Sequence, residues 1–218
     1  NATFNVSQSH ISKKFYEQNI KEYNNVINTG NLIFLENKKR LNQSKKILFA
    51  VTVKSLQSIQ LVGVEMYYEF INNLYFLSNL SKKYNYKILV KLHPGIYSKF
   101  NTLKKIFPHL EFSKEKISPK IFNDCLLTIS FSSTVIEDSL NSLRPVILLD
   151  RWKRYQHCEA ETNPNKKNSA VYYINDEAGL IKCIKTIKAS KKINFSDYVS
   201  LNNYNININK LVNKYILN

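Results

Sequence analysis

Three short polar clusters combine residue types suited to holding an anion. His93-Pro94-Gly95 offers an imidazole beside a chain breaker, and Ser130, Ser132, Ser133 and Thr134 offer four hydroxyls around Phe131. Asp150 to Arg154 offers a carboxylate and the guanidinium groups of Arg151 and Arg154. An imidazole can donate a hydrogen bond or a proton to a leaving phosphate. Hydroxyls at a helix start add donors to its unpaired amides, and arginine grips phosphate or carboxylate through two parallel bonds. Each cluster also has an ordinary explanation. His93 fits a loop histidine, and residues 151–168 fit a solvated loop. Thr134-Val135-Ile136-Glu137 matches a capping box, in which Thr134 bonds the first turn and Glu137 reaches back. That box leaves Ser132 and Ser133 unexplained.

What raises the clusters above their separate explanations is where they fall. Each follows an apolar run with the length and β-branching of a buried strand: 86–92, 126–130 and 145–150. Two further runs, 45–53 and 170–174, read as strands, with a weak one near 109–113. Between them the period is helical. Residues 62–83 repeat apolar side chains at Met66, Phe70, Leu74, Leu77 and Leu80, and helices are expected at 97–107, 118–125, 134–143 and 176–189. Strands alternating with helices of this length predict an α/β fold, a Rossmann-like doubly wound parallel sheet with right-handed crossovers. In such a sheet ligands bind outside the carboxyl ends of the strands, where all three clusters lie.

Residues 1–44 break the alternation, with a helical stretch near 12–24 and an apolar pair at 26–27. The chain starts at Asn1 rather than Met, and this stretch is read as the remnant of a preceding domain plus a linker. A nucleotide-binding domain is expected over 45–190 and a helical tail over 191–218.

Among 218 residues there are only four glycines, and neither a Gly-x-Gly-x-x-Gly nor a Walker loop occurs, so dinucleotide and P-loop chemistry are not expected. Three scattered cysteines without CxxC spacing point to reduced thiols rather than disulfides or zinc. No metal and no cofactor are expected. Of the remaining histidines, His157 lies in the 151–168 loop, within reach of a ligand there. The formal net charge of +16 suits an anionic partner, although the lysines are dispersed.

"VKLHPGIY" followed by "ISFSSTVIEDSLNSLRPVILLD" resembles the paired His-Pro and Ser-Ser motifs of bacterial GT-B glycosyltransferases of surface-polysaccharide synthesis. The pattern is similar to that of sialyl-, polysialyl- and Kdo-transferases of capsule and lipooligosaccharide, and to the CDP-glycerol glycerophosphotransferases. The resemblance covers roughly residues 25 to 190 and implies the donor-binding half of a GT-B fold. It implies that His93, Pro94, Ser132, Ser133 and Thr134 meet the donor phosphate and that an acidic residue on the next helix holds the ribose. Glu137 fits the spacing from Thr134, and Asp138 fits the spacing to Pro145. Adjacent helical residues diverge by about 100°, so only one of the two can serve. The base is expected on a strand-end shelf near Asp150, with Arg151 and Arg154 holding phosphate or a carboxylate. The chain departs from the pattern at Leu143-Arg144, where related chains often carry glycine.

The resemblance thus implies a glycosyltransferase whose catalytic base lies in an upstream domain, with His93 easing departure of the phosphate. The expected donor is a CMP-activated acidic sugar such as sialic acid, and the acceptor a glycan or glycolipid. The expected location is cytoplasmic, resting peripherally on the anionic inner face of the membrane. Transfer of glycerol phosphate from CDP-glycerol is the enzymatic alternative. A basic nucleic-acid-binding protein is the alternative of another class, although the chain has no helix-turn-helix pattern and no basic helix face.

Overall fold

The computed structural model describes residues 5–20, 26–30, 44–52, 61–201 and 204–215. The strands are β1 (Asn5–Ser7), β2 (Val26–Asn28), β3 (Lys46–Ala50), β4 (Lys87–Lys91), β5 (Glu111–Ser113), β6 (Leu127–Ser130), β7 (Val146–Leu149) and β8 (Val171–Ile174). The α-helices are α1 (His10–Asn19), α2 (Leu61–Tyr84), α3 (Phe100–Ile106), α4 (Pro119–Asn123), α5 (Val135–Asn141), α6 (Glu177–Ala189) and α7 (Tyr204–Tyr215). The expected linker lies largely outside the described residues, as does the side chain of Met66.

β3 to β8 form one parallel sheet in the order β5-β4-β3-β6-β7-β8. The chain builds outward from β3 in one direction, then returns and builds from β6 in the other, which puts the topological switch between β3 and β6. Side chains alternate across the strands. Ile47 and Phe49 of β3 face the large core with Phe70, Leu74 and Leu77 of α2 and Leu180 and Ile184 of α6. Leu48, between them, faces Phe122 and Cys125 on the other side. Ile136 and Leu140 of α5 pack on Val146, Leu148 and Val171 of β7 and β8. α2, α3 and α6 therefore cover one face, and α4 and α5 the other.

Two details depart from the sequence expectation. The helix expected at 97–107 begins earlier, as a 3-10 helix over Pro94–Lys99 that continues into α3. Proline fits there because its missing N–H would be unpaired in a first turn anyway. At the chain start, β1 was not foreseen; it pairs in parallel with β2, and α1 links the two. This unit is tied to the C-terminal segment, since His10 N donates to the Tyr198 carbonyl at 2.8 Å and Asn207 Nδ2 to that of Thr29 at 3.0 Å.

The Leu143-Arg144 departure has a local cause. α5 ends in a Schellman turn, with Arg144 N donating to Ser139 O at 2.9 Å and Leu143 N to Leu140 O at 3.0 Å. Leu143 holds the left-handed position that favours glycine, at φ 54°. Leu143→Gly is expected to cost less than about 1 kcal/mol, because relief of the backbone strain offsets lost side-chain contact. Leu140→Gly, in the helix and fully buried, is expected to cost roughly 4 kcal/mol or more. Urea unfolding of the two variants checks the contrast.

Candidate functional site

The switch point brings two of the three clusters to one place. Ala50 of β3 is in register with Lys91 of β4 on one side and with Ser130 of β6 on the other. His93 lies two residues beyond Lys91, and Ser132 two beyond Ser130. The two turns therefore leave the sheet at the same level on either side of β3, two strand spacings or roughly 10 Å apart.

His93 caps the 3-10 helix. Its Nδ1 accepts from Gly95 N at 3.1 Å, so the neutral ring carries its proton on Nε2 and offers that N–H as a donor. Pro94 is exposed and starts the helix. Next to them Lys91 is buried, its Nζ donating to Leu92 O at 2.8 Å and Tyr97 Oη at 3.3 Å. Lys91 was missed at the sequence level, because a lysine ending a strand carries no distinguishing signal.

The serine turn divides its labour. The Ser130 hydroxyl is buried and donates to Ala50 O at 3.1 Å, locking β6 to β3 across the switch point. Ser132 N donates to Thr52 Oγ1 at 3.3 Å, making Thr52 a second contact that sequence did not single out. The capping box does not form. Thr134 is exposed and makes no side-chain cap bond, whereas Ser133 Oγ accepts from Val135 N at 3.3 Å. The cap thus sits one residue earlier than expected.

Glu137 does not reach back to Thr134 either. It is buried, and its Oε2 accepts from Ser12 Oγ of α1 at 2.6 Å and from the Oγ of Ser9, the N-cap of that helix. Asp138 is half-buried, about 100° further around α5. Its neighbour one turn earlier, Val135, packs toward Leu48, Phe122 and Cys125, the side of β3 and α4. Burial, and then the Glu137 charge, push the Asp138 carboxyl up to about 6 from its ordinary 3.8. α5 therefore turns Glu137 toward α1, whereas Asp138 makes no contact with Ser9 or Ser12.

The third cluster braces the loop after β7. Asp150 is fully buried, and its Oδ2 accepts from Tyr155 N at 2.8 Å and Tyr173 Oη at 3.0 Å. Arg154 pairs with the buried Glu69 of α2, which also accepts from Arg151 N at 2.9 Å. The Arg151 guanidinium lies 3.5 Å from Glu177. Arg154 also stacks over Trp152 at 4.9 Å and Phe131 at 5.1 Å from the ring centres. At the expected base shelf, Asp150 thus ties the loop to Tyr173 of β8, and the two arginines tie it to α2 and α6. Glu69 could not be assigned from sequence, since it lies mid-helix and more than 80 residues from its partners.

Among the described residues no cluster of three or more histidine, cysteine or carboxylate side chains could hold a metal, and no helix is long and apolar enough to cross a membrane.

No protein-family model and no curated protein matches the chain. Solved structures do. The chain is similar to the UDP-GlcNAc 2-epimerase of Methanocaldococcus jannaschii in complex with UDP-GlcNAc and UDP, with a TM-score of 0.61 and 15% identity over 98% of this chain and 61% of that one. A second structure of the same enzyme gives a TM-score of 0.57 and 12% identity, covering 97% of this chain and 62% of that one. A variant of S. aureus TarM in complex with UDP, Fondaparinux and alpha-GlcNAc-glycerol gives 0.47 and 15%, covering 90% of this chain and 38% of that one. The chain thus spans about three fifths of the epimerase, and the likeness identifies its sheet as the Rossmann-like half of a GT-B fold.

Proposed function

We propose that this chain is the nucleotide-sugar-binding part of a glycosyltransferase. The observation that carries the reading is the register of β4, β3 and β6, which sets His93 and the Ser132-Ser133 turn on the two rims of the switch-point crevice. The donor phosphate lies between them. It accepts from His93 Nε2–H on one side and from the seryl hydroxyls on the other, and Asp138 accepts the ribose hydroxyls. These donors stabilise charge developing on the departing nucleotide, which is what a transferase must do most. A relative in fold that holds UDP-GlcNAc and UDP supports a nucleotide-sugar ligand.

Within that class we place first a CMP-activated acidic sugar passed to a bacterial surface glycan, on the strength of the His-Pro and Ser-Ser spacing. The net charge of +16 suits work at an anionic membrane surface, beside a lipid-linked acceptor.

A thermal-shift panel of CMP, CDP, UDP and GDP tests the reading. A nucleotide at about 100 times its Kd raises the melting temperature of a chain this size by roughly 5–10 °C. CMP leading the panel supports the sialyl-type donor, and CDP or UDP leading it redirects the donor. No shift from any of the four, alongside salt-sensitive binding of DNA or RNA, overturns the proposal. His93→Ala is expected to weaken the best ligand roughly 10- to 100-fold, the loss of one charge-assisted hydrogen bond, measured by calorimetry.

A further inference from the structure

Beside Glu137 of α5 lies a cavity of about 720 Å3, walled by α1, the loop 155–159 and Tyr198. His93, Ser132, Ser133 and Asp138 do not line it. Its volume is that of a small-ligand site, and its walls mix aromatic faces with a few placed polar groups, as such sites do. Phe15, Tyr16, Tyr155 and Tyr198 supply the faces, and Glu137 and His157 stand among the polar groups.

Two features of these polar groups point to the same ligand chemistry. Glu137 Oε2 already accepts from two hydroxyls at once, Ser9 Oγ and Ser12 Oγ, whose oxygens lie 3.0 Å apart. That is the donor pattern of hydroxyls on adjacent carbons of a sugar ring. His157 Nδ1 is buried and has no hydrogen-bond partner, and burial holds the imidazole's pKa below its ordinary value. A neutral imidazole has one donor and one acceptor nitrogen, matched to a hydroxyl rather than to an anion. Tyr155 packs edge-on against the same imidazole, 6.1 Å between centres.

We infer that this cavity is a saccharide site, separate from the nucleotide crevice, in which Glu137 accepts a vicinal diol and His157 meets a further hydroxyl. Ser9 and Ser12 occupy the diol position until the sugar displaces them, so α1 shifts as the site fills. The inference does not depend on nucleotide binding, since the residues assigned to the donor phosphate and ribose do not line this cavity.

Saturation-transfer NMR on the whole chain provides the test, with methyl α-glucoside, methyl α-mannoside, methyl β-galactoside and lactose as probes. Transfer to at least one probe is expected, and it should persist when a nucleotide from the thermal panel is saturating. A glycan terminus as natural ligand shows as lactose outbinding the monosaccharides, and a free sugar as the reverse. Glu137→Gln should weaken the binding tenfold or more, and His157→Ala several-fold.

Ser12→Ala is the telling variant, because Ser9 caps α1 and is better left in place. Removing the competing hydroxyl should strengthen sugar binding several-fold, whereas a purely structural Ser12 would leave it unchanged or weaker. No transfer to any probe, displacement of the sugar by nucleotide, or indifference to both Glu137→Gln and Ser12→Ala overturns the inference. A negative nucleotide panel does not.

Discussion

Asp138→Asn will weaken nucleotide-sugar binding on the order of 100-fold and, in the same molecule, raise the melting temperature of the unliganded protein. Both effects have one cause. The Asp138 carboxyl is half-buried, close to Glu137, and ionises only near pH 6. A carboxyl whose folded pKa lies above its unfolded one binds more protons folded than unfolded between those values. Stability contributed by the neutral acid is present at low pH and lost as pH climbs from about 4 to 6, so above pH 6 the ionised group is a standing cost. Asparagine removes the charge and recovers on the order of 1–2 kcal/mol, allowing for solvent that reaches the group. The ligand reverses the balance. In the proposed complex a ribose diol would donate two hydrogen bonds to the carboxylate, each worth roughly 1.5–3 kcal/mol against a charged acceptor, whereas the amide offers a single neutral acceptor oxygen.

The wild-type affinity should therefore fall as pH drops through about 6, while the variant's stays flat and weak. A nucleotide sugar is the right probe, since its esterified phosphates do not titrate in that range. An affinity independent of pH between 5 and 7.5, or an Asp138→Asn protein that binds as wild type does, would assign the ribose elsewhere.

Arg144→Met will lower stability by roughly 3–5 kcal/mol, a fall in melting temperature near 10 °C. Arg144 is fully buried, yet it serves as a connector between two helix ends. Its Nε donates to Phe122 O at 2.8 Å and Nη2 to Asn123 O at 3.4 Å, both at the end of α4. Nη1 donates to Leu143 O at 3.1 Å and Ser142 O at 3.4 Å, at the end of α5. Burying a guanidinium is expensive, and burial lowers its pKa. Replacing a buried ion by an apolar side chain can stabilise a protein when its partners are replaced as well. Here the partners are backbone carbonyls that no substitution removes, so methionine takes a donor from each of them, although Phe122 O keeps a bond from Cys125 N at 3.1 Å. Arg144→Lys should fall between, because a point-like ammonium cannot serve both rows of carbonyls as a planar fork does. Thermal unfolding of the three proteins decides it; a methionine variant as stable as wild type would show that the carbonyls are satisfied by other means.

Much of the architecture was legible in the chain itself. Period-two and period-3.6 hydrophobicity are local properties, so the runs 86–92, 126–130, 145–150 and 170–174 marked strands that the structure places within a residue of those limits. Because parallel strands with right-handed crossovers all point one way, the polar turns after β4, β6 and β7 had to gather at one edge of the sheet. Strand β1 escaped notice because three residues carry too little pattern to read.

The chain alone determined the α/β class, the direction of the strands and which turns carry the polar groups. Tertiary structure decided which polar groups are available. Glu137 and Asp138 are adjacent, and either fitted a ribose. They are told apart because Ser9 and Ser12, more than 120 residues away, take the Glu137 carboxylate and not that of Asp138. The same holds for Asp150 and Arg154, both committed to holding their loop, Arg154 through Glu69. Hydrophobic periodicity sets which face of an element is inside, because that depends on side chains a few positions apart. Which flank of a helix meets a partner depends on segments the chain brings together only on folding.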